Sequence, residues 1–219
     1  DEAISLIQQG TPINLIFAHH PLIFSPLKSI CQGNPIGDMV QQAITHRIGV
    51  YSAHTNFDQV PNGTADVLAQ LLHLQSTTPI EPTQDGLGYG RVGMLQPTLT
   101  LQQLLDDIQL ALNPPDLMVS PTADRQQPIE RVAVLGGSGA SYLSAVSRTG
   151  AQAYLTSDCK FHQFQEARDR NLILIDAGHY ATERPACARL AEKLQQMGAE
   201  WVKLSDRDED FRQFGRIQA

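Results

Sequence analysis

The sequence predicts an α/β fold of two lobes, each a mostly parallel sheet covered by helices. Three observations carry the fold. Compact apolar runs of strand length alternate with segments whose apolar residues recur at helical spacing. Single helices between strands demand crossover connections, and these favour parallel neighbours. A polar stretch with several Thr and Pro, near residues 75–88, separates two such blocks. A chain of 219 residues, 42% of them apolar, can bury a sizeable core.

In the first block, Ala3, Ile4 and Ile7 mark a short helix closed by Gly10 and Pro12. Residues 13–18 are a strand-length apolar run. Met39, Val40, Ala43 and Ile44 give a second helix and 48–53 a second strand. Val67, Leu68, Leu71 and Leu72 give a third helix, and a linker is expected over 75–85. The second block opens with a strand at 91–95. Leu101, Leu104, Leu105, Ile108 and Leu112 then form a helical stripe, which Thr100 and Gln103 can open with a capping box and Asn113-Pro114-Pro115 can stop. After a polar loop at 121–128, strands at 132–135, 151–155 and 172–175 alternate with helices near 142–148, 162–168 and 183–197. A closing strand is expected at 201–204, followed by a frayed, charged tail at 205–210. The domains expected are 1–78, a connection over 79–90 with no inserted domain, and 91–219.

Sixteen Lys and Arg against 23 Asp and Glu leave a formal charge of −7. That balance gives no strong nucleic-acid signature. No apolar run reaches the roughly 18–20 residues of a membrane span, so no membrane association is expected. Residues 1–10 carry two acids and no base, unlike a secretory leader. Cys31, Cys159 and Cys187 are far apart and form no C-x-x-C pair, which fits a reducing, cytoplasmic compartment.

Three predicted strands end in histidine: 13–18 runs into His19 and His20, 48–53 into His54, and 172–175 into His179. Open α/β sheets bind ligands beyond the carboxyl ends of their strands. Asp58 follows His54 by four residues and Glu183 follows His179 by four. On a helix, that spacing turns His179 and Glu183 to one face, where imidazole and carboxylate suit a borderline divalent metal. A lone strand-end histidine usually caps or packs; the repeated pattern is what points to metal.

Three other features stay open between a functional and a bland reading. The 136–140 turn, Gly-Gly-Ser-Gly-Ala, lies between a strand and a helix and could cradle an anion with its amides. It also approximates a nucleophile elbow at Ser138, with Asp158 or Asp176 and His179 following in hydrolase order, or it is a tight turn that needs small residues. Asp158, Lys160 and His162 could support a metal ligand or act as general acid, or form a surface turn. Cys159 has charged neighbours, but nothing in the sequence depresses its pKa.

The runs that carry these residues resemble one family. A-H-H-P-L-I-F-S-P-L-K (18–28), A-H-T-N-F-D (53–58) and G-L-G-Y-G-R-V-G (86–93) are similar, in order, to the signatures of the Ngg-interacting-factor-three-like family of dinuclear-metal proteins. So are R-V-A-V-L-G-G-S-G-A, A-Y-L-T-S-D-C-K-F-H and D-A-G-H-Y-A-T-E-R (176–184). Many members bear the name GTP cyclohydrolase I type 2 homologue. The resemblance implies two divalent ions per chain, Zn, Fe, Mn or Co, held by His19, His20, Asp58, His179 and Glu183. His54 stands as a supporting residue or further ligand.

The resemblance also implies a homohexamer, a trimer of dimers. Apolar residues such as Leu22, Ile23, Phe24 and Leu27 give that some support. Family members begin about a helix and a strand earlier, so the first lobe is expected to be N-terminally incomplete. The family's usual Gly before Asp158 is Ser157 here. Two function classes follow: a metal-dependent hydrolase acting on a nucleotide or related phosphorylated compound, with Lys28 as a supporting cation, or a non-catalytic metal-binding regulator or partner platform. A serine hydrolase built on Ser138 stands third.

Overall fold

The computed structural model describes residues 1–121 and 124–213. Thr122 and Ala123 of the expected 121–128 loop, and the end of the expected 91–219 domain from residue 214, lie outside the described residues. The chain forms two compact units, Asp1–Phe57 with Ser205–Arg207, and Asp58–Leu204 with the chain from Asp208 onward.

The first unit contains α1 (Glu2–Gln8), β1 (Leu15–Ala18), α2 (Pro35–Thr45), β2 (Gly49–Ser52) and α3 (Thr55–Asp58), whose last residue counts with the second unit. The Asn34 side chain accepts a hydrogen bond from the Gly37 amide at 2.9 Å and starts α2, with Pro35 in the first turn. Strands β1 and β2 pair in parallel with Ala18 opposite Ser52, so both end at one level. Ser205 and the Asp206 amide hydrogen-bond the Glu2 carboxylate, so this part of the tail is held on α1.

The second unit contains α4 (Thr64–Leu71), β3 (Gln75–Thr78), β4 (Glu81–Pro82), β5 (Gly88–Tyr89), β6 (Arg91–Thr100) and α5 (Leu101–Leu112). It continues with β7 (Met118–Val119), β8 (Pro128–Val134), α6 (Leu143–Arg148), β9 (Ala153–Thr156), α7 (Phe161–Asp169), β10 (Ile173–Asp176) and α8 (His179–Gln196). Six strands form one sheet in the order β3-β6-β8-β9-β10-β7.

The predicted α/β class holds, but this sheet is mixed rather than mostly parallel. Only β8-β9 and β9-β10 are parallel; β3-β6, β6-β8 and β10-β7 are antiparallel. Helix α5 starts where β6 stops, and the following segment returns to that same end, where the Leu101 amide donates to the Gln127 carbonyl at 3.0 Å. The chain therefore enters β8 in the reverse direction, with Thr100 opposite Pro128. The Thr100–Gln103 capping box forms as expected.

Alternation along the central strands builds two cores. Val132, Val134, Leu155, Ile173 and Ile175 join Leu68, Leu104 and Ile108 on one face, while Ala133, Tyr154 and Leu174 join Leu143, Val146 and Ala167 on the other. Each such large aliphatic side chain contributes ~1.5–3 kcal/mol by leaving water.

Other elements differ from expectation. The 75–85 stretch is not a bare linker, because Gln75–Thr78 pairs with β6. The unit boundary falls before α4, ahead of the 79–90 connection, since Leu68, Ala69 and Leu72 are buried in the second unit's core. Residues 201–204 form no strand. Helix α8 begins at His179, one turn earlier than the apolar pattern suggested. No helix among the described residues is long and apolar enough to cross a membrane.

Candidate metal centre

In the first unit, level strand ends bring three histidines together. The Ala53 amide donates to the Ala18 carbonyl at 3.0 Å, and Ser52 Oγ donates to the His20 carbonyl at 3.2 Å. His19, His20 and His54 therefore emerge side by side, with ring centroids 4.9–5.2 Å apart. A ligand nitrogen from each lies within 4.8 Å of those of the other two. His19 Nδ1 lies 2.8 Å from the Ala53 carbonyl, which can only accept, so Nδ1 carries the proton and Nε2 keeps its lone pair. The donor set and its spacing fit a divalent ion. Lys28 is exposed on the irregular segment after His20.

In the second unit, the loops after β8, β9 and β10 form the polar end of the sheet. Asp176, buried at the end of β10, joins two of them: one carboxylate oxygen accepts from the Cys159 amide at 2.8 Å and the other from the Gly178 amide at 2.9 Å. Asp158 sits in the left-handed region at φ 54°, which Asp tolerates better than most residues. Its Oδ2 lies 2.6 Å from His179 Nδ1 and accepts a hydrogen bond from Ser138 Oγ at 2.6 Å. Arg212 Nη1 lies 3.4 Å from Oδ1. Because α8 is helical from its first residue, His179 Nε2 meets Glu183 Oε2 at 3.0 Å one turn on.

This order removes the nucleophile-elbow reading of Ser138. A serine nucleophile needs the imidazole beside it; here the carboxylate stands between Ser138 and His179. The glycine turn serves as a seat, and two of its amides are already committed. The Gly137 amide donates to Thr182 Oγ1 and the Gly139 amide to Thr156 Oγ1, each at 3.0 Å. A Cβ on Gly137 would collide with Glu183 Oε1, so the missing side chain makes room for that carboxylate.

Asp58 closes α3, and the segment after it is tied down. The Gly88 amide donates to the Gln59 carbonyl at 3.3 Å, and Gln59 Nε2 donates to the Tyr89 hydroxyl at 3.0 Å. Buried Arg91 pairs with Asp66 and donates to the Gly88 and Gly90 carbonyls. The 86–93 signature thus shapes the loop that braces the residue after Asp58. His162 is exposed in the first turn of α7 and joins none of these hydrogen bonds. Sequence reasoning missed Thr156, Thr182 and Arg212, since no local pattern marks a hydroxyl or guanidinium that reaches across the fold.

The profile of Duf34/NIF3 (NGG1p interacting factor 3) matches residues 5–209. The chain belongs to the Duf34/NIF3 family. A "GTP cyclohydrolase 1 type 2 homolog" of Nostoc sp. is 69% identical over 214 residues, covering 98% of this chain and 80% of that protein. One of the same name from Streptococcus pneumoniae is 35% identical over 176 residues, covering 80% of this chain and 65% of the relative. A Bacillus cereus protein related to NIF3 has the same fold, with a TM-score of 0.85 at 23% identity over 97% of this chain and 86% of that one.

Electrostatics of the Duf34/NIF3 chain follow from these contacts. The hydrogen bond to Glu183 raises His179 to about 9, against the opposing effect of burial and with further support from Asp158. Burial pushes Asp158 up, but hydrogen bonds from Ser138 and His179 and the charges of His179 and Arg212 together bring it below the usual range. Burial, reinforced by Asp176, pushes the Cys159 thiol up, so it is not an activated thiolate. Because the folded value of His179 exceeds the unfolded value of about 6.5, its contribution to metal-free stability is complete below that pH. It is lost as pH rises through about 9. The melting temperature of the metal-free protein should fall over this window, and His179→Gln should flatten the profile.

Ser157 brings one local cost. Its hydroxyl is fully buried and, among the described residues, has no hydrogen-bond partner, and an orphaned polar group costs about 1–3 kcal/mol. Ser157→Ala should therefore raise the melting temperature, as thermal unfolding would record.

Proposed function

We propose that this chain is a metal-dependent hydrolase that uses two divalent ions on a nucleotide or related phosphorylated compound. The observation that carries the reading is the convergence of His19, His20 and His54, each at a strand end, with ligand atoms within 4.8 Å. The His179–Glu183 pair adds an imidazole–carboxylate set at 3.0 Å. Residues His19, His20, Asp58, His179 and Glu183 would hold the ions, with His54 as a further donor. Zn, Fe, Mn and Co all suit such donors. A pair of divalent ions supplies Lewis acidity and a water acidic enough to attack at neutral pH.

The chain's own residues prepare that chemistry. His19 is held through Nδ1 on the Ala53 carbonyl, Glu183 is seated against the backbone at Gly137, and Asp58 lies on a segment braced through Gln59. Two divalent ions against two carboxylates leave about +2, a sign that attracts phosphate despite the chain's −7. The names of the relatives point to purine-ring opening of GTP as one substrate to try.

Metal analysis of untreated protein, followed by a nucleotide hydrolysis screen on stripped and reconstituted samples, tests the proposal. Two ions per chain and turnover that returns with metal are expected. Protein purified without metal and unable to take it up would overturn the reading. The family's description as an interacting factor favours a second reading, a metal-binding regulator or partner platform, which bound metal without turnover would support. We also propose a cytoplasmic homohexamer; sedimentation as a monomer at micromolar concentration would reject that assembly.

A further inference from the structure

Three side chains converge on Asp158 at the polar end of the second unit. His179 Nδ1 and Ser138 Oγ both lie 2.6 Å from Oδ2, and Arg212 Nη1 lies 3.4 Å from Oδ1. Arg212 is delivered by the segment beyond the last helix, which is anchored on α8. The Tyr180 hydroxyl donates to the Asp208 carbonyl at 2.9 Å, and Arg184 pairs with the Asp208 carboxylate at 2.6 Å. Asp210 holds the other edge of the guanidinium at 3.1 Å. Helix α8 thus carries His179 and also the anchors that return a cation to the carboxylate beside it.

An imidazole anchored at one nitrogen only can flip about χ2, which exchanges Nδ1 with Cδ2 and Nε2 with Cε1 and would turn a carbon toward Glu183. A carboxylate on Nδ1 stops that rotation and leaves Nε2 facing Glu183. We propose that Asp158 is a positioning residue that fixes His179 with Nε2 toward Glu183, and that Ser138 and the Arg212-bearing C-terminal segment hold Asp158 in place for this task. The inference rests on the metal reading for its purpose, but its geometry is a property of the chain alone. It gives Ser138 a role that does not need it to be a nucleophile. It also makes residues 208–212 part of the site.

Choice of substitution follows from the backbone. At φ 54° an alanine would add strain, so Asp158→Gly removes the side chain without that penalty, and Asp158→Asn keeps an acceptor oxygen but no charge. The test combines imidazole-nitrogen NMR on metal-free protein, which reports the proton on His179 Nδ1, with cobalt(II) titration. Circular dichroism confirms folding of each variant.

Wild type and Asp158→Asn should show a protected Nδ1 proton that Asp158→Gly loses. Cobalt affinity should fall about 10–100-fold in Asp158→Gly, the range that such orienting partners command, and less in Asp158→Asn. Arg212→Gln should give an intermediate loss. A protected Nδ1 proton or wild-type cobalt affinity in Asp158→Gly would overturn the inference and leave the metal reading standing. Failure of wild type to bind cobalt at all would instead overturn the metal reading and, with it, the purpose assigned to Asp158.

Discussion

Glu183→Ala is expected to lose most of the divalent metal that the wild-type chain retains, while the fold survives. The Glu183 carboxylate is only 12% exposed, lies 3.0 Å from His179 Nε2 and rests against the backbone at Gly137. Without it, the α8 set keeps one imidazole donor, too few for a stable site. The side chain belongs to neither apolar core, so its loss leaves the packing of Leu68, Leu104 and Ile108 intact. Metal analysis together with a thermal melt makes the check. His73→Ala, at the far end of α4, serves as control and should keep its metal. Retention of full metal content by Glu183→Ala would remove this residue from the ligand set.

Gly137→Ala should reproduce most of that loss with every ligand residue unchanged. The added methyl carbon would overlap Glu183 Oε1 and lie 3.4 Å from His179 Cε1, so the carboxylate must leave its seat. The residue also stands at φ +67°, where a side chain costs roughly 1–2 kcal/mol. Gly150→Ala separates the two effects. Gly150 has φ +75°, but a methyl group there would meet nothing within 4 Å, so it carries the backbone cost alone and should leave metal content unchanged. Equal metal in the Gly137 and Gly150 variants would show that the turn does not seat Glu183.

The elements most legible in the sequence were those with local causes. The capping box at Thr100 and Gln103, the stripe of Leu101, Leu104, Leu105, Ile108 and Leu112, and the strands of the parallel centre all follow from spacing over a few residues. The strand-end rule brought out His19, His20 and His54 for the same reason: parallel strands that end at one level place their next residues together. What was not legible depends on distant partners. The reversal of β8 against β6 is set by where the 113–127 segment returns, and nothing inside either strand encodes it. The fate of the glycine amides depends on hydroxyls of Thr182 and Thr156, 45 and 17 residues farther along. Arg212 reaches Asp158 across 54 residues. Residues 201–204 read as a strand because short apolar runs do not reveal whether a partner exists.

The margins of the six-stranded sheet bear on how this protein behaves at high concentration. A bare strand margin invites another chain to zip onto it, and cells full of nascent protein supply many such chains. Here one margin, β3, is the wholly exposed Gln75-Ser76-Thr77-Thr78, with Ser76 at φ 53° and a break in its register against β6. The opposite margin, β7, is two residues long. A kinked polar ribbon and a stub are both poor templates for backbone zippering. Aggregation through this sheet is thus disfavoured at both margins, so ordered self-association there must draw its specificity from side chains rather than from continued strand pairing.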